Sequence, residues 1–228
     1  MEKLLNKKTA FHIHTKYSID SNLNPEDIVD FLIMNKYDQV VITDHDSIEG
    51  AIVAKEYSQS RYGDKFHVII GEEISTDIGH IIGFPLQNLI TQNNYEECFS
   101  KIKEQNGFIC LPHPYKQHDM FDIHIPSVVD SIDFVETFNS RVTQDQNRYA
   151  SKYADYFKIN KIIGSDAHIH EELNNTSFSF TTPGFKIRIT KNGYSNIKNI
   201  RTSQYVKYRK LKHYPRMLKY FILGRISR

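Results

Sequence analysis

Short β-branched runs alternate along this chain with longer stretches of helical periodicity. Seven runs read as strands: TAFHIHT from Thr9, QVVITDH from Gln39, FHVIIGEEIS from Phe66, GHIIGF from Gly79, GFICLPHP from Gly107, IDFVETF from Ile132 and KIIGSDAH from Lys161. Their lengths suit buried strands. One helix is announced by Asn24 as a cap, Pro25 at the first position and Glu26 and Asp27 behind it, with apolar Ile28, Phe31 and Leu32 following. A second runs from Ser47 to about Arg61, a third over Tyr95 to Gln105 and a fourth over Gln144 to Lys158. Most units are strand–loop–helix, which predicts an α/β fold with a largely parallel sheet and crossover helices. Polar, chemically active residues recur at strand C-termini, so a closed or distorted (β/α) barrel is the expected version.

With 228 residues the chain fits one such domain, and its 39% hydrophobic and 25% charged content supports a packed core. No run approaches the length of about 18 apolar residues that spans a membrane, and the start lacks the pattern of a secretory signal. Cys98 and Cys110 are the only cysteines, in no metal-binding or disulfide spacing, and read as reduced, buried thiols of a cytoplasmic protein. The net charge of +2 hides an asymmetry. No acid follows Glu172, while thirteen Lys or Arg lie between Lys186 and Arg228, so the first 172 residues hold 16 basic and 27 acidic residues, a balance of −11. This divides the chain into an acidic body, residues 1–205, and a basic, aromatic-rich tail, residues 206–228. KIRIT from Lys186 could add a strand, and NIKNIRTSQ from Asn196 a short helix.

The candidate chemistry begins with two triplets. His12-Ile13-His14 opens the first run and Asp166-Ala167-His168 closes the last strong one, and in a strand residues i and i+2 share a face. Between them, Asp20 lies in the loop after the first strand. His45 ends the second, Glu72 and Glu73 follow the apolar part of the third, His80 opens the fourth and His113 ends the fifth. A single histidine at a strand end is ordinary; a series of such ends is difficult to ascribe to packing. Mixed imidazole and carboxylate donors suit zinc, manganese or iron, whereas an all-oxygen set suits magnesium or calcium. Alternation in the third strand separates Glu72 from Glu73. Asp44, beside His45, reads equally as an orienting partner of a ligand or as a helix cap.

The segments FHIHTKYSIDS, ITDHDSIEGA, IIGEEIS, GHIIGF, CLPHP and IIGSDAH resemble, in order and spacing, the motifs of the PHP (polymerase and histidinol phosphatase) family, in its small stand-alone form. The resemblance implies a distorted seven-stranded (β/α) barrel with two or three divalent metals at the strand C-termini. By its motif positions, His12, His14, Glu73 and Asp166 would hold a first metal. Glu73 would bridge to a second that also takes His80 and His113, and Asp20, His45 and His168 would hold a third. The implied activity is hydrolysis of a phosphomonoester by a hydroxide shared between metals.

Phosphate contacts are expected from Lys116, Arg141 and Arg148. Asp20, His45 and His170 are expected in catalysis, His170 (or a metal-bound water, less so His118) protonating the leaving oxygen; His67, His124 and His213 read as ordinary. Expected substrates are a nucleotide, an oligonucleotide end or a phosphorylated metabolite, with phosphotyrosine or histidinol phosphate as alternatives. A metal-dependent amidohydrolase, whose barrel also opens with His-x-His, and a non-catalytic metal-stabilised binding module are the competing classes. In the tail, Tyr205, Tyr208, Tyr214 and Tyr220 interleave with basic residues as nucleic-acid contact requires. Met217, Leu218, Phe221, Ile222 and Leu223 would suit an anionic membrane surface, although Pro215 interrupts any long helix.

Overall fold

The computed structural model describes residues 7–116, 126–173, 176–179 and 190–191; the expectations for the tail, for residues 186–189 and for His118, His124 and His213 fall outside them. In chain order the elements are β1 (Lys8–Ile13), α1 (Pro25–Met34), β2 (Gln39–Ile42), α2 (Glu49–Tyr62), β3 (His67–Ile70), β4 (Glu72–Thr76), β5 (Gly79–Phe84), α3 (Tyr95–Glu104), β6 (Phe108–Leu111), α4 (Pro126–Ser131), β7 (Phe134–Asn139), α5 (Gln144–Phe157), β8 (Asn160–Gly164), β9 (Thr176–Ser179) and β10 (Thr190–Lys191). The four expected helices form with local causes. Pro25 opens α1 with two acids in its first turn, Asn94 accepts the N–H groups of Glu96 and Glu97 ahead of α3, and Thr143 and Gln146 make a reciprocal capping box on α5. The second helix begins at Glu49 rather than Ser47, whose hydroxyl accepts the Glu49 N–H.

The sheet differs from the expected single, largely parallel barrel of seven strands. Among the described residues ten strands form two five-stranded sheets, ordered β10-β9-β1-β2-β3 and β4-β5-β6-β7-β8. Parallel pairing holds within β1-β2-β3 and β6-β7-β8, but β5 runs antiparallel to both β4 and β6, and β9 is antiparallel to β1. The two-residue link Asp77-Ile78 between β4 and β5 explains part of this, because a parallel return needs a crossover of a dozen residues or so. The run expected as one long strand changes sheets at Gly71. A Cβ there would meet the Ile42 carbonyl and the Thr43 and Val41 side chains, each at 3.1 Å, so the bend depends on the missing side chain.

The two sheets join along two seams. On one side Gly71 N–H donates to Ile42 O, Glu73 N–H to Asp44 O and Asp46 N–H to Glu73 O. On the other, Ser165 N–H donates to Phe11 O, Ala167 N–H to His12 O and His14 N–H to Ala167 O. Both seams run through the segments that carry the candidate ligands.

Three apolar clusters fill the layers. One joins α1 and α2 to the first sheet, and another joins α3, α4 and α5 to the second. The third is made only of strand residues from both sheets, including Phe11, Val41, Ile82, Phe84, Cys110, Phe134 and Ile162. Phe84 sits at its centre, with ring centroids 5.2 Å from Phe11, 5.8 Å from Phe108 and 6.0 Å from Phe134. Cys98 and Cys110 are free and buried, as expected. Among the described residues no helix is long and apolar enough to cross a membrane. Phe84→Ala removes the ring that both sheets share and should cost about 3–5 kcal/mol, read as a lowered midpoint in chemical denaturation with an unchanged slope.

Candidate metal centre

Three of the side chains singled out above sit on left-handed backbone: His12 at φ 62°, His113 at φ 28° and Asp166 at φ 53°. Non-glycine residues in this region cost on the order of 1–3 kcal/mol each and persist where the surroundings over-determine them. At His12 the cause is visible. The pairing of β1 with β2 shifts register between Phe11 and Ile13, so His12 occupies a bulge. A bulge, rather than regular alternation, therefore aims His12 and His14 into one space.

Glu73 is the hub of that space. Its Oε2 lies 3.2 Å from His12 Nε2, 3.2 Å from His14 Nε2 and 3.4 Å from His45 Nδ1. Its Oε1 lies 2.9 Å from His80 Nδ1 and 3.0 Å from His113 Nε2. Asp166 Oδ1 is 3.5–3.6 Å from His12, His14 and His168, while Oδ2 accepts Lys116 Nζ at 2.5 Å and Asn139 Nδ2 at 3.3 Å. Asp20 Oδ2 closes the far side, 3.2 Å from His168 Nε2 and 3.8 Å from His45 Nε2. All nine candidate ligands thus lie in one cluster. Four triads have donor atoms within 4.8 Å of one another: His14, His45 and His168; His12, His14 and Glu73; His12, His113 and Asp166; and His45, Glu73 and His80.

The donors fit bound cations. His14 Nε2 and Asp20 Oδ1 are buried and make no well-aligned hydrogen bond, although carboxylate oxygens stand within 3.5 Å of His14 Nε2. Such orphaned atoms are costly unless a partner completes them. The opposite ring nitrogens are occupied. Nδ1 of His12 pairs with Glu136 Oε1 at 2.8 Å, Nδ1 of His14 with Ser18 Oγ at 3.2 Å and Nδ1 of His168 with the Asp166 carbonyl at 2.8 Å. With Nδ1 engaged in each, every Nε2 faces into the cluster.

The charges are arranged accordingly. Burial opposes ionisation of Glu73 and Asp166, but His45 and His12 around the first, and Lys116 and His12 around the second, hold both carboxyls well below their usual range. Asp20 is depressed in the same way by His168 and His45. Burial would lower His12 and His14 as well. Glu136, Glu73 and Asp166 reverse this for His12, and hydrogen bonding to Asp166 and Glu73 raises His14 to about 9. For His45 and His168 burial prevails, lowering them to about 3 and about 4. At neutral pH the cluster therefore holds neutral and protonated imidazoles side by side.

The surrounding residues resolve several open points. Asp44 does not cap α2. It accepts Thr15 N–H, Thr15 Oγ1 and Ser18 Oγ, and so holds the hydroxyl that orients His14. Glu72 faces the other way, accepting Ile90 N–H, and burial pushes its carboxyl up to about 8. Lys116 and Arg141 reach the cluster, the latter through Nη1 to the Asp166 carbonyl at 3.4 Å. Arg148 and His170 are not brought in. Arg148 is exposed, paired with Asp145 and set over the Tyr149 ring, and His170 is exposed with its ring against Phe31.

Glu136 and Asn139 are not among the candidates the sequence pattern offers, IDFVETF reading only as a strand. Glu136 is fully buried and accepts three hydrogen bonds, from His12 Nδ1, His113 N–H and Asn139 Nδ2, each at 2.8 Å. A β-bulge between Glu136 and Phe138 accompanies this placement, and the available signal is an acid among the strand's apolar residues Phe134, Val135 and Phe138. Gly164 makes room for it, because a Cβ there would collide with Glu136 Oε1.

The model of the PHP domain family matches residues 10–222. An uncharacterized protein of Methanocaldococcus jannaschii is 35% identical over 150 residues, 58% of this chain and 82% of that protein. Among solved structures, a two-domain protein of Bacteroides vulgatus, described as containing a predicted PHP-like metal-dependent phosphoesterase, superposes with a TM-score of 0.64 at 17% identity, over 85% of this chain and 63% of the other. The chain thus spans somewhat under two thirds of that protein. An amidohydrolase of Chromobacterium violaceum, solved with bound sulfate and no metal, superposes with a TM-score of 0.59 at 14% identity over 72% of this chain and 88% of that one.

Two outcomes are expected. Nearby carboxylates raise His12, His14 and His80 above the ordinary imidazole value, and each must give up any proton it carries to ligate, so metal loading should release protons and tighten as pH rises toward about 9. Calorimetry in buffers of different ionisation enthalpy measures this, and a buffer-independent heat would contradict it. Glu136→Gln should weaken metal retention by about 10–100-fold, with Gly164→Ala acting in the same direction, as read by metal content after dialysis against a graded chelator.

Proposed function

This chain belongs to the PHP domain family, and from that premise we propose that it is a metal-dependent hydrolase of phosphomonoesters, active on a nucleotide, an oligonucleotide end or a phosphorylated metabolite. The observation that carries the reading is the division of Glu73: one oxygen faces His12, His14 and His45, the other His80 and His113. A carboxylate shared in this way suits two cations held close together. Divalent metals bound there, two or three of zinc, manganese or iron, would supply activation of water and neutralisation of phosphoryl charge.

The chain's own residues do the remaining work. Lys116 and Arg141 place positive charge at the edge of the cluster where a phosphate would enter. Asp166 takes one of the three Lys116 N–H donors through Oδ2, which leaves others for an anion. Glu73, Asp166 and Asp20, all ionised at neutral pH, keep that entrance attractive to cations before it is attractive to phosphate. His170, against Phe31, stands apart from these groups, so we assign protonation of the leaving oxygen to solvent. Asp20, His45 and His168 favour this reading over an amidohydrolase, because they add a third ligand group beside the pair centred on Glu73. We extend the proposal to a cytoplasmic setting, and to the tail as a polyanion or membrane-surface contact, on sequence grounds alone.

Protein loaded with manganese or zinc should hydrolyse a chromogenic phosphate monoester and lose that activity with chelator. His12→Ala or Asp166→Ala should reduce turnover by at least about 1,000-fold, the scale of losing metal assistance, while Arg148→Ala should stay within about 2-fold as a surface change. Full activity in the first two variants would remove the proposed centre.

A further inference from the structure

Glu172 is a buried acid that neither the ligand set nor the proposed chemistry uses. It lies on a single 3-10 turn, His170–Glu172, separated from Asp166-Ala167-His168 by Ile169 alone. Its Oε2 accepts the His168 backbone N–H at 2.8 Å, and its Oε1 stands 3.8 Å from Arg141 Nε. Arg141 and His168 meet again at a second acceptor, since the Asp166 carbonyl receives Arg141 Nη1 at 3.4 Å and His168 Nδ1 at 2.8 Å. The four groups close a ring: Glu172, Arg141, the Asp166 carbonyl and His168. The base of the arginine is fixed independently, its N–H donating to Asn139 Oδ1 at 2.8 Å. Only the guanidinium end then depends on Glu172.

We infer that Glu172 is a positioning residue that holds the Arg141 guanidinium toward an incoming phosphate and ties it to the backbone of His168. A carboxylate at the side of a guanidinium restricts a long, rotatable chain and turns its remaining N–H donors to one direction, which is the geometry anion recognition needs. The inference rests on the phosphoesterase reading for the identity of the anion, but its test does not depend on turnover.

The test titrates inorganic phosphate into manganese-loaded full-length protein, as wild type, Glu172→Gln, Arg141→Gln and the double variant. An amide at position 172 still accepts the His168 N–H but no longer attracts the guanidinium. Glu172→Gln should therefore keep the wild-type metal content by elemental analysis and weaken phosphate binding about 5-fold, and the double variant should bind no worse than Arg141→Gln, the non-additivity of two groups in one network. In steady-state assays of a phosphomonoester the Glu172→Gln loss should fall mainly on KM. Wild-type phosphate affinity in Glu172→Gln, independent and multiplying effects of the two substitutions, or no phosphate binding by the wild type would each overturn the inference. Wild-type protein that binds phosphate but hydrolyses no phosphomonoester would instead overturn the functional reading and leave Glu172 in place.

Discussion

The organisation of the molecule depends on one buried carboxylate. Glu73 has no solvent to stabilise its charge, and ionised carboxylates are tolerated in such surroundings only when paired. Five imidazoles from four separate stretches of chain surround it: His12 and His14 at the end of β1, His45 after β2, His80 on β5 and His113 after β6. Assembling them requires bent, bulged and left-handed backbone at several strand ends. The strain at His12, His113 and Asp166 is the local counterpart of that convergence.

Much of this was legible in the sequence, because the ligand-type residues stand at the ends of apolar runs whose periodicity is plain. All nine candidate ligands lie in one cluster, and Glu72 and Glu73 separate to opposite sides as alternation requires. The helices were legible for a similar reason, since Pro25, Asn94 and Thr143 act locally. What was not legible depends on contacts between distant segments. The change of sheet at Gly71 follows from the closeness of Val41, Ile42 and Thr43, and the direction of β5 follows from a two-residue turn. Neither leaves a periodic signature. Glu136 escaped because a single acid among a strand's apolar residues gives no sign of which histidine it will meet. Arg148 and His170 show the opposite failing: proximity along the chain to the centre did not bring their side chains into it.

Around the cluster, orientation is distributed over neutral and charged partners with distinct tasks. Asp44 acts through Ser18 on His14, Glu136 acts directly on His12, and a backbone carbonyl serves His168. Each fixes a ring by its outer nitrogen and turns the inner one toward the carboxylates of the cluster. This division explains why so many polar groups are fully buried without being ligands themselves, and why a small residue such as Gly164 is needed beside them.

The two seams give the centre a mechanical meaning. Each sheet is complete along its own ladder, but the joints between sheets consist of a few backbone hydrogen bonds, and those bonds belong to the residues next to the ligands. A cation gripping side chains from both sides of a joint would act as a rivet. Its removal would leave the sheets intact and loosen the joints, so that the amides of Glu73, Ala167 and His14 would exchange with solvent sooner than those in the middle of β2 or β7. The candidate metal centre is, in this sense, also the fastening of the fold.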